Sequence, residues 1–311
     1  MVRITLLLVG IVLLIFQQYI IDFNAHAQFF IFLAGIIVLG VPHGAADLLV
    51  ASRNAVVMGR RFSKIKFLAA YISRLFLFAA VLWLFPLLGN VLFIIFAAYH
   101  FGETDLYQFN IDKPIGKLFV ITYGLVILSV IILGHFDEVR LLFRLFATGT
   151  ENSKLINWID GNHYNLMTMA GVLFFVTTFF YFLKSKDVAN DGRGKFLLYF
   201  AAMLVILFIL PLMLGFTFYF IVWHSVLSLR NIYVYLRRNS LFTGRVIAGQ
   251  VLLYSALAMV GIALFGLTGF MFVNINAMAG SIFFGLAVLT APHMQIMHDM
   301  YNSIRLGKLL Q

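Results

Sequence analysis

The sequence predicts an all-α fold: a polytopic membrane helix bundle of about ten transmembrane helices, with both termini cytoplasmic. Three observations predict it. The 311 residues are 63% hydrophobic and only 11% charged, whereas a soluble domain carries about 25% charged residues. The apolar runs are continuous and about 20 residues long, the length a helix needs to cross a bilayer, whereas β-barrel strands alternate over about 10 residues. Lys and Arg collect in alternate loops, as they do in the cytoplasmic loops of membrane proteins.

The ten segments are residues 4–20, 29–50, 67–88, 91–109, 115–134, 166–183, 195–213, 215–236, 246–266 and 277–298. Several hold proline (Pro42, Pro86, Pro211, Pro292). Membrane helices tolerate proline where neighbouring groups satisfy the freed backbone. With the N-terminus inside, the inner loops and ends carry Arg3; Arg53, Arg60, Arg61, Lys64 and Lys66; Lys113 and Lys117; Lys184, Lys186, Arg193 and Lys195; Arg237, Arg238 and Arg245; Arg305 and Lys308. The outer loops carry Arg140, Arg144 and Lys154 alone, and Arg74 and Arg230 lie in spans near their inner ends. That asymmetry fixes the orientation and suits a multi-pass protein of the cell inner membrane. The long outer connection, 135–165, mixes Asp137, Glu138, Arg140 and Arg144 with Leu141, Leu142, Phe143, Leu145 and Phe146, the pattern of a short interfacial helix.

Residues 1–311 read as a single integral-membrane domain. Ala25-His26-Ala27 resembles a signal-peptidase site, but the apolar run before it is long and the site is poorly placed after Gln17-Gln18, so the first span is read as retained. A net charge of +10 would suggest nucleic acid in a soluble protein; here the inner loops account for it, and no nucleic-acid partner is expected. The chain has no cysteine, which excludes thiolate metal ligation, disulfides and cysteine-held iron–sulfur clusters.

Four of the eight histidines lie within expected spans: His43, His100, His224 and His293, on spans 2, 4, 8 and 10. All four spans run from outside to inside, and at about 1.5 Å of rise per residue the four rings share a broadly similar depth. An ionisable group inside a membrane usually faces a cavity or a partner and marks function. A single such histidine can simply hydrogen-bond a neighbouring helix; four at one level, each directly after Pro, Tyr or Trp, read as ligands of one metal. His26, His135 and His163 lie in or near outer loops. His298 follows His293 by five residues, about 140° around a regular helix, which separates the two rings. Asp47, four residues after His43 and on nearly the same helix face, and Glu103, three after His100, are candidates to orient metal-bound imidazoles through the other ring nitrogen. Asp105 and Asp299 read as helix-end residues near the inner surface, and Arg230 and Asn231 as residues near the inner interface.

All-imidazole ligation suits iron(II), copper or zinc, and ligand type alone does not choose among them. Walls of Phe, Leu, Ile and Met favour an apolar substrate reaching the site from the lipid and iron activating O2, rather than zinc hydrolysis of a polar substrate. The sequence has no phosphate loop, no Gly-x-Ser-x-Gly and no His-Glu-x-x-His. Two other classes fit intramembrane histidines: a proton-coupled membrane transporter and a bis-histidine haem electron-transfer protein.

Four elements, Pro42-His43-Gly44-Ala45-Ala46-Asp47, Tyr99-His100-Phe101-Gly102-Glu103-Thr104-Asp105, Trp223-His224-Ser225 and Pro292-His293-Met294, resemble the motifs of the Brp/Blh family of membrane proteins. The resemblance runs from about residue 30 to 300. It implies a β-carotene 15,15'-dioxygenase that splits the central double bond of β-carotene with O2 into two retinals, an Fe(2+) centre held by histidines, the lipid bilayer as surroundings, and a functional link to a retinal-binding rhodopsin. His43, His100 and His224 carry over as ligands. Family members commonly show a second histidine four residues after the third; here that position is Ser228, and His293 is the candidate fourth ligand, with His298 behind it. No catalytic residue beyond the metal ligands is expected.

Overall fold

The computed structural model describes residues 2–146, 150–184, 190–238, 242–266 and 275–309. It is 90% helical, without strands among the described residues. Nine helices among those residues are long and apolar enough to cross a membrane: Val2–Ile20, Ala25–Val57, Lys64–Leu84, Pro86–Asp105, Pro114–Leu133, Ser153–Lys184, Gly192–Ile209, Leu212–Arg237 and Gly244–Ala263. They correspond in order to the first nine expected segments. The tenth, 277–298, falls inside a helix spanning Ile275–Leu309. Large apolar side chains point outward along the spans, as in Phe76, Trp83 and Phe175, the last 73% exposed, which is the surface a lipid-facing helix presents.

Helices are labelled α1 (Val2–Ile15), α2 (Ala25–Gly35), α3 (Val41–Ala45), α4 (Asp47–Val57), α5 (Lys64–Leu84), α6 (Pro86–Asp105), α7 (Pro114–Leu133), α8 (Phe136–Phe146), α9 (Thr150–Lys184), α10 (Asn190–Ile209), α11 (Leu212–Phe216), α12 (Ser225–Arg237), α13 (Gly244–Gly266) and α14 (Ile275–Leu309). Three stretches are wound as π-helix: Phe16–Ile20, Ile36–Gly40 and Thr217–His224. Prolines set several boundaries. Pro86 and Pro114 open α6 and α7, where a missing N–H costs nothing. Pro211 takes an extended conformation and separates α10 from α11. Pro42 opens α3 directly after the π turn 36–40, and the helix restarts at Asp47 after Ala46. Widening the backbone before Pro42 relieves the clash of its ring with the preceding turn.

Two helix boundaries differ from the sequence reading. Arg53, assigned to an inner loop, lies inside α4 and is buried, because the helix carrying His43 continues to Val57. The outer connection is largely helical: α8 forms as expected, and α9 begins at Thr150, well before the expected start of its span. Arg140 on α8 pairs with Asp160 on α9 at 2.7 Å. Lys186 lies outside the described residues.

The chain divides into two compact units, Met1–Gly35 with Phe101–His224, and Ile36–His100 with Ser225–Gln311. In the first, α7 packs along α9 and also meets α10 and α11, while α1 meets α10 and the π stretch 217–224. Its core is aromatic: Phe119 stacks on Tyr181 at 4.6 Å and Tyr123 on Phe200 at 4.5 Å. Gly102 lets α6 touch α7, since a Cβ there would lie 2.1 Å from the carbonyl oxygen of Val120. In the second unit, α14 packs on α4 and α5, and α12 on α3, α4 and α13. Phe78, Leu82, Ala287 and Val288 form its apolar cluster. Tyr235 donates to Asn54 Oδ1 at 2.5 Å, and Asn231 donates to the Tyr301 hydroxyl at 3.3 Å. Asn231, expected near the interface, is therefore a core residue.

Candidate metal centre

His43 sits on the short helix α3, between the π turn and the break at Ala46. His100 lies near the end of α6, His293 directly follows Pro292 in α14, and His224 closes the π stretch 217–224. All four are buried. A π turn adds a residue to the helical repeat, and each added residue rotates the downstream side chains by about 100°. Two of the four histidines therefore owe their facing to helix irregularities that residue type does not announce.

His43, His100 and His224 each offer a ring nitrogen, and the three nitrogens lie within 4.8 Å of one another; this is the one such group of His, Cys, Asp or Glu among the described residues. Two nitrogens bonded to one ion at about 2.1 Å can be at most about 4.2 Å apart. The three nitrogens are the kind of all-imidazole donor set that suits a first-row divalent metal.

His293 stands beside this group without belonging to it. Its ring centroid is 4.4 Å from that of His43 and 4.9 Å from that of His100, in edge-to-face contact with both. Its Nδ1–H donates to Asp47 Oδ1 at 2.7 Å, and Tyr71 donates to the other oxygen, Oδ2, at 3.1 Å. An acceptor on Nδ1 fixes the tautomer and leaves the lone pair on Nε2. That Nε2 is buried and has no hydrogen-bond partner among the described residues. A buried polar atom without a partner is costly, and a cation would supply what this one lacks. Asp47 thus serves His293, from a different helix, rather than its neighbour in sequence. Glu103 is completely buried, one turn beyond His100.

His298 is committed elsewhere. Its Nδ1 meets the Tyr99 hydroxyl at 3.2 Å, and its Nε2 accepts from Asn302 at 2.9 Å. Asn302 in turn accepts from Arg305. With both nitrogens bonded, His298 is not poised as a ligand. Ser228, one turn after His224, is fully buried, and its hydroxyl has no partner among the described residues.

Asp105 is the last residue of α6, as its sequence reading has it, but it is buried inside its unit and not a surface residue. It is 1% exposed. Its Oδ2 accepts from Tyr123 at 2.8 Å, Trp223 Nε1 at 3.0 Å and Tyr219 at 3.4 Å, and Arg3 donates to its main-chain carbonyl. Three polar aromatic groups spread over 100 residues gave no sequence signal of that convergence. Rings also flank His224: Phe101 at 4.8 Å, and Phe220 at 6.0 Å with planes 14° apart. Phe216 continues the series, 5.2 Å from Phe220 and 19° from parallel.

Fold and site together define a class, a polytopic membrane protein with a buried, thiolate-free cluster of histidines. The chain belongs to the β-carotene 15,15'-dioxygenase family: the family model with that description matches residues 34–301, a stretch that contains all four histidines and Asp47. It is a carotenoid-cleaving enzyme of that family. No curated protein and no solved structure matches the chain.

Proposed function

We propose that this protein is an iron(II) dioxygenase of the inner membrane that cleaves the central double bond of β-carotene with O2 to give two molecules of all-trans-retinal. The reaction balances without another reductant: one C=C bond and the O–O bond break, two C=O bonds form, and each retinal takes one oxygen atom. The observation that carries the assignment is the group of three imidazole nitrogens within 4.8 Å in a chain of the carotene dioxygenase family.

His43, His100 and His224 would hold the iron, with His293 as fourth ligand through Nε2. His293 would supply the imidazole that Ser228, at the position where the family commonly shows a second histidine, does not. Bound iron supplies the activation of O2, which the side chains present cannot perform. The protein does the rest. Asp47 holds the proton on Nδ1 of His293 and keeps Nε2 available. Glu103, buried beside His100 in sequence, orients that ligand. Complete burial of His224 excludes water. The near-parallel rings of Phe216 and Phe220 lead to His224 along one helix and offer apolar π-surfaces to a flat polyene, which leaves the lipid for an equally apolar site at little cost.

Expression in a β-carotene-producing bacterium tests the reading. Loss of orange colour with formation of retinal is expected, and the purified protein is expected to carry iron. A purified protein devoid of iron that leaves β-carotene intact sinks the assignment.

A further inference from the structure

We infer that Asp105 is a positioning residue for the metal centre: its buried carboxylate clasps the π-helical stretch 217–224 and so sets the facing of His224. The inference rests on the metal-site reading above and adds a residue outside the candidate ligand set and its partners.

One carboxylate oxygen gathers three donors, and two of them, Tyr219 and Trp223, belong to the π-helical stretch that ends at His224. Trp223 is the residue directly before the ligand. A π stretch eight residues long is rare and usually marks a functional position; α-helical winding is the ordinary alternative. Rewinding the stretch to α-helix would change the rotation of every following side chain by about 100° for each turn converted. Tyr219 and Trp223 are four residues apart and reach the same oxygen, so the clasp fixes both the rotation and the rise of the segment between them. The third donor, Tyr123, comes from α7 and anchors the carboxylate itself. Burying a carboxylate is expensive unless hydrogen bonds compensate, and an apolar side chain would have filled the same space more cheaply. The arrangement is worthwhile if a particular backbone winding must be enforced.

The test compares the full-length wild-type protein, stripped of metal in detergent, with Asp105→Ala, Asp105→Glu, the double variant Tyr219→Phe/Trp223→Phe, and Tyr123→Phe. Cobalt(II) is the probe, read by its visible absorption; amide exchange over 217–224 and thermal unfolding are followed in parallel. Asp105→Ala is expected to weaken cobalt binding at least about 10-fold, the usual scale for a partner of a metal ligand, and to speed exchange over 217–224. The double variant is expected to do the same with Asp105 still present, which keeps the test decisive if Asp105→Ala does not fold. Tyr123→Phe removes the shortest of the three bonds but none to the π stretch; it is expected to lower the unfolding temperature while changing cobalt affinity less than about threefold. Asp105→Glu is expected to recover part of the affinity. Cobalt affinity that is unchanged in the double variant, or that falls in Tyr123→Phe as far as in the double variant, overturns the inference. If wild-type protein binds no cobalt, the metal-site reading fails, and unchanged exchange over 217–224 in the variants then overturns the clasp separately.

Discussion

At the scale of residues, the ligand question turns on His293. Its Nδ1 is bound by Asp47 and its Nε2 has no partner among the described residues, the division of labour usual for a metal-bound imidazole. His43→Ala is expected to abolish retinal formation in β-carotene-producing cells. His293→Ala is expected to do so too, with loss of iron from the purified protein; full activity in that variant removes His293 from the ligand set. Asp47→Asn places an amide where a carboxylate accepts from both His293 and Tyr71. Metal affinity, read by titration of the stripped protein, is expected to fall about 10- to 100-fold, while Tyr71→Phe, which removes one hydrogen bond and leaves the carboxylate, is expected to cost less than a factor of about 10. The four histidines were legible in the sequence because imidazole at membrane depth is conspicuous. The partner of each was less so. Asp47 looked like a partner for His43 because helical spacing places it there, yet tertiary packing gives it to a histidine 246 positions away.

At the scale of elements, the spans were legible from hydropathy and their order was read correctly, since twenty consecutive apolar residues leave little choice of structure. The irregular turns were not legible. No residue type encodes π winding, and the stretches 36–40 and 217–224 show their value only through the histidines that come after or close them. The end of the second span differs for a related reason: in sequence Arg53 reads as a loop charge, but the helix runs on and buries it. Glycine marks the tightest helix contact. Gly102→Ala would drive a methyl group into the backbone carbonyl of Val120, which cannot rotate aside as a side chain can. Destabilisation at or above the usual 1–3 kcal/mol of overpacking is expected, seen as a lowered unfolding temperature in detergent. An Ala variant as stable as wild type would show that α6 and α7 are not held this closely.

At the scale of the whole molecule, α1 is a structural member of its unit. Arg3 reaches the carbonyl of Asp105, and Gly10 leaves room for the ring of Phe218, 2.6 Å from where a Cβ would lie. A chain lacking residues 1–27 is expected to lose thermal stability and carotenoid cleavage together; retained cleavage would show that α1 is dispensable. The class of protein was legible at this scale because composition alone separates a lipid-solvated chain from a water-solvated one. The division into two compact units was not, because each is assembled from two separate stretches of sequence and no linker composition marks the joins. The π winding at 217–224 carries more backbone per turn than an α-helix, so deleting a single residue within it is expected to let the segment close into ordinary helical turns and swing His224 to a new heading.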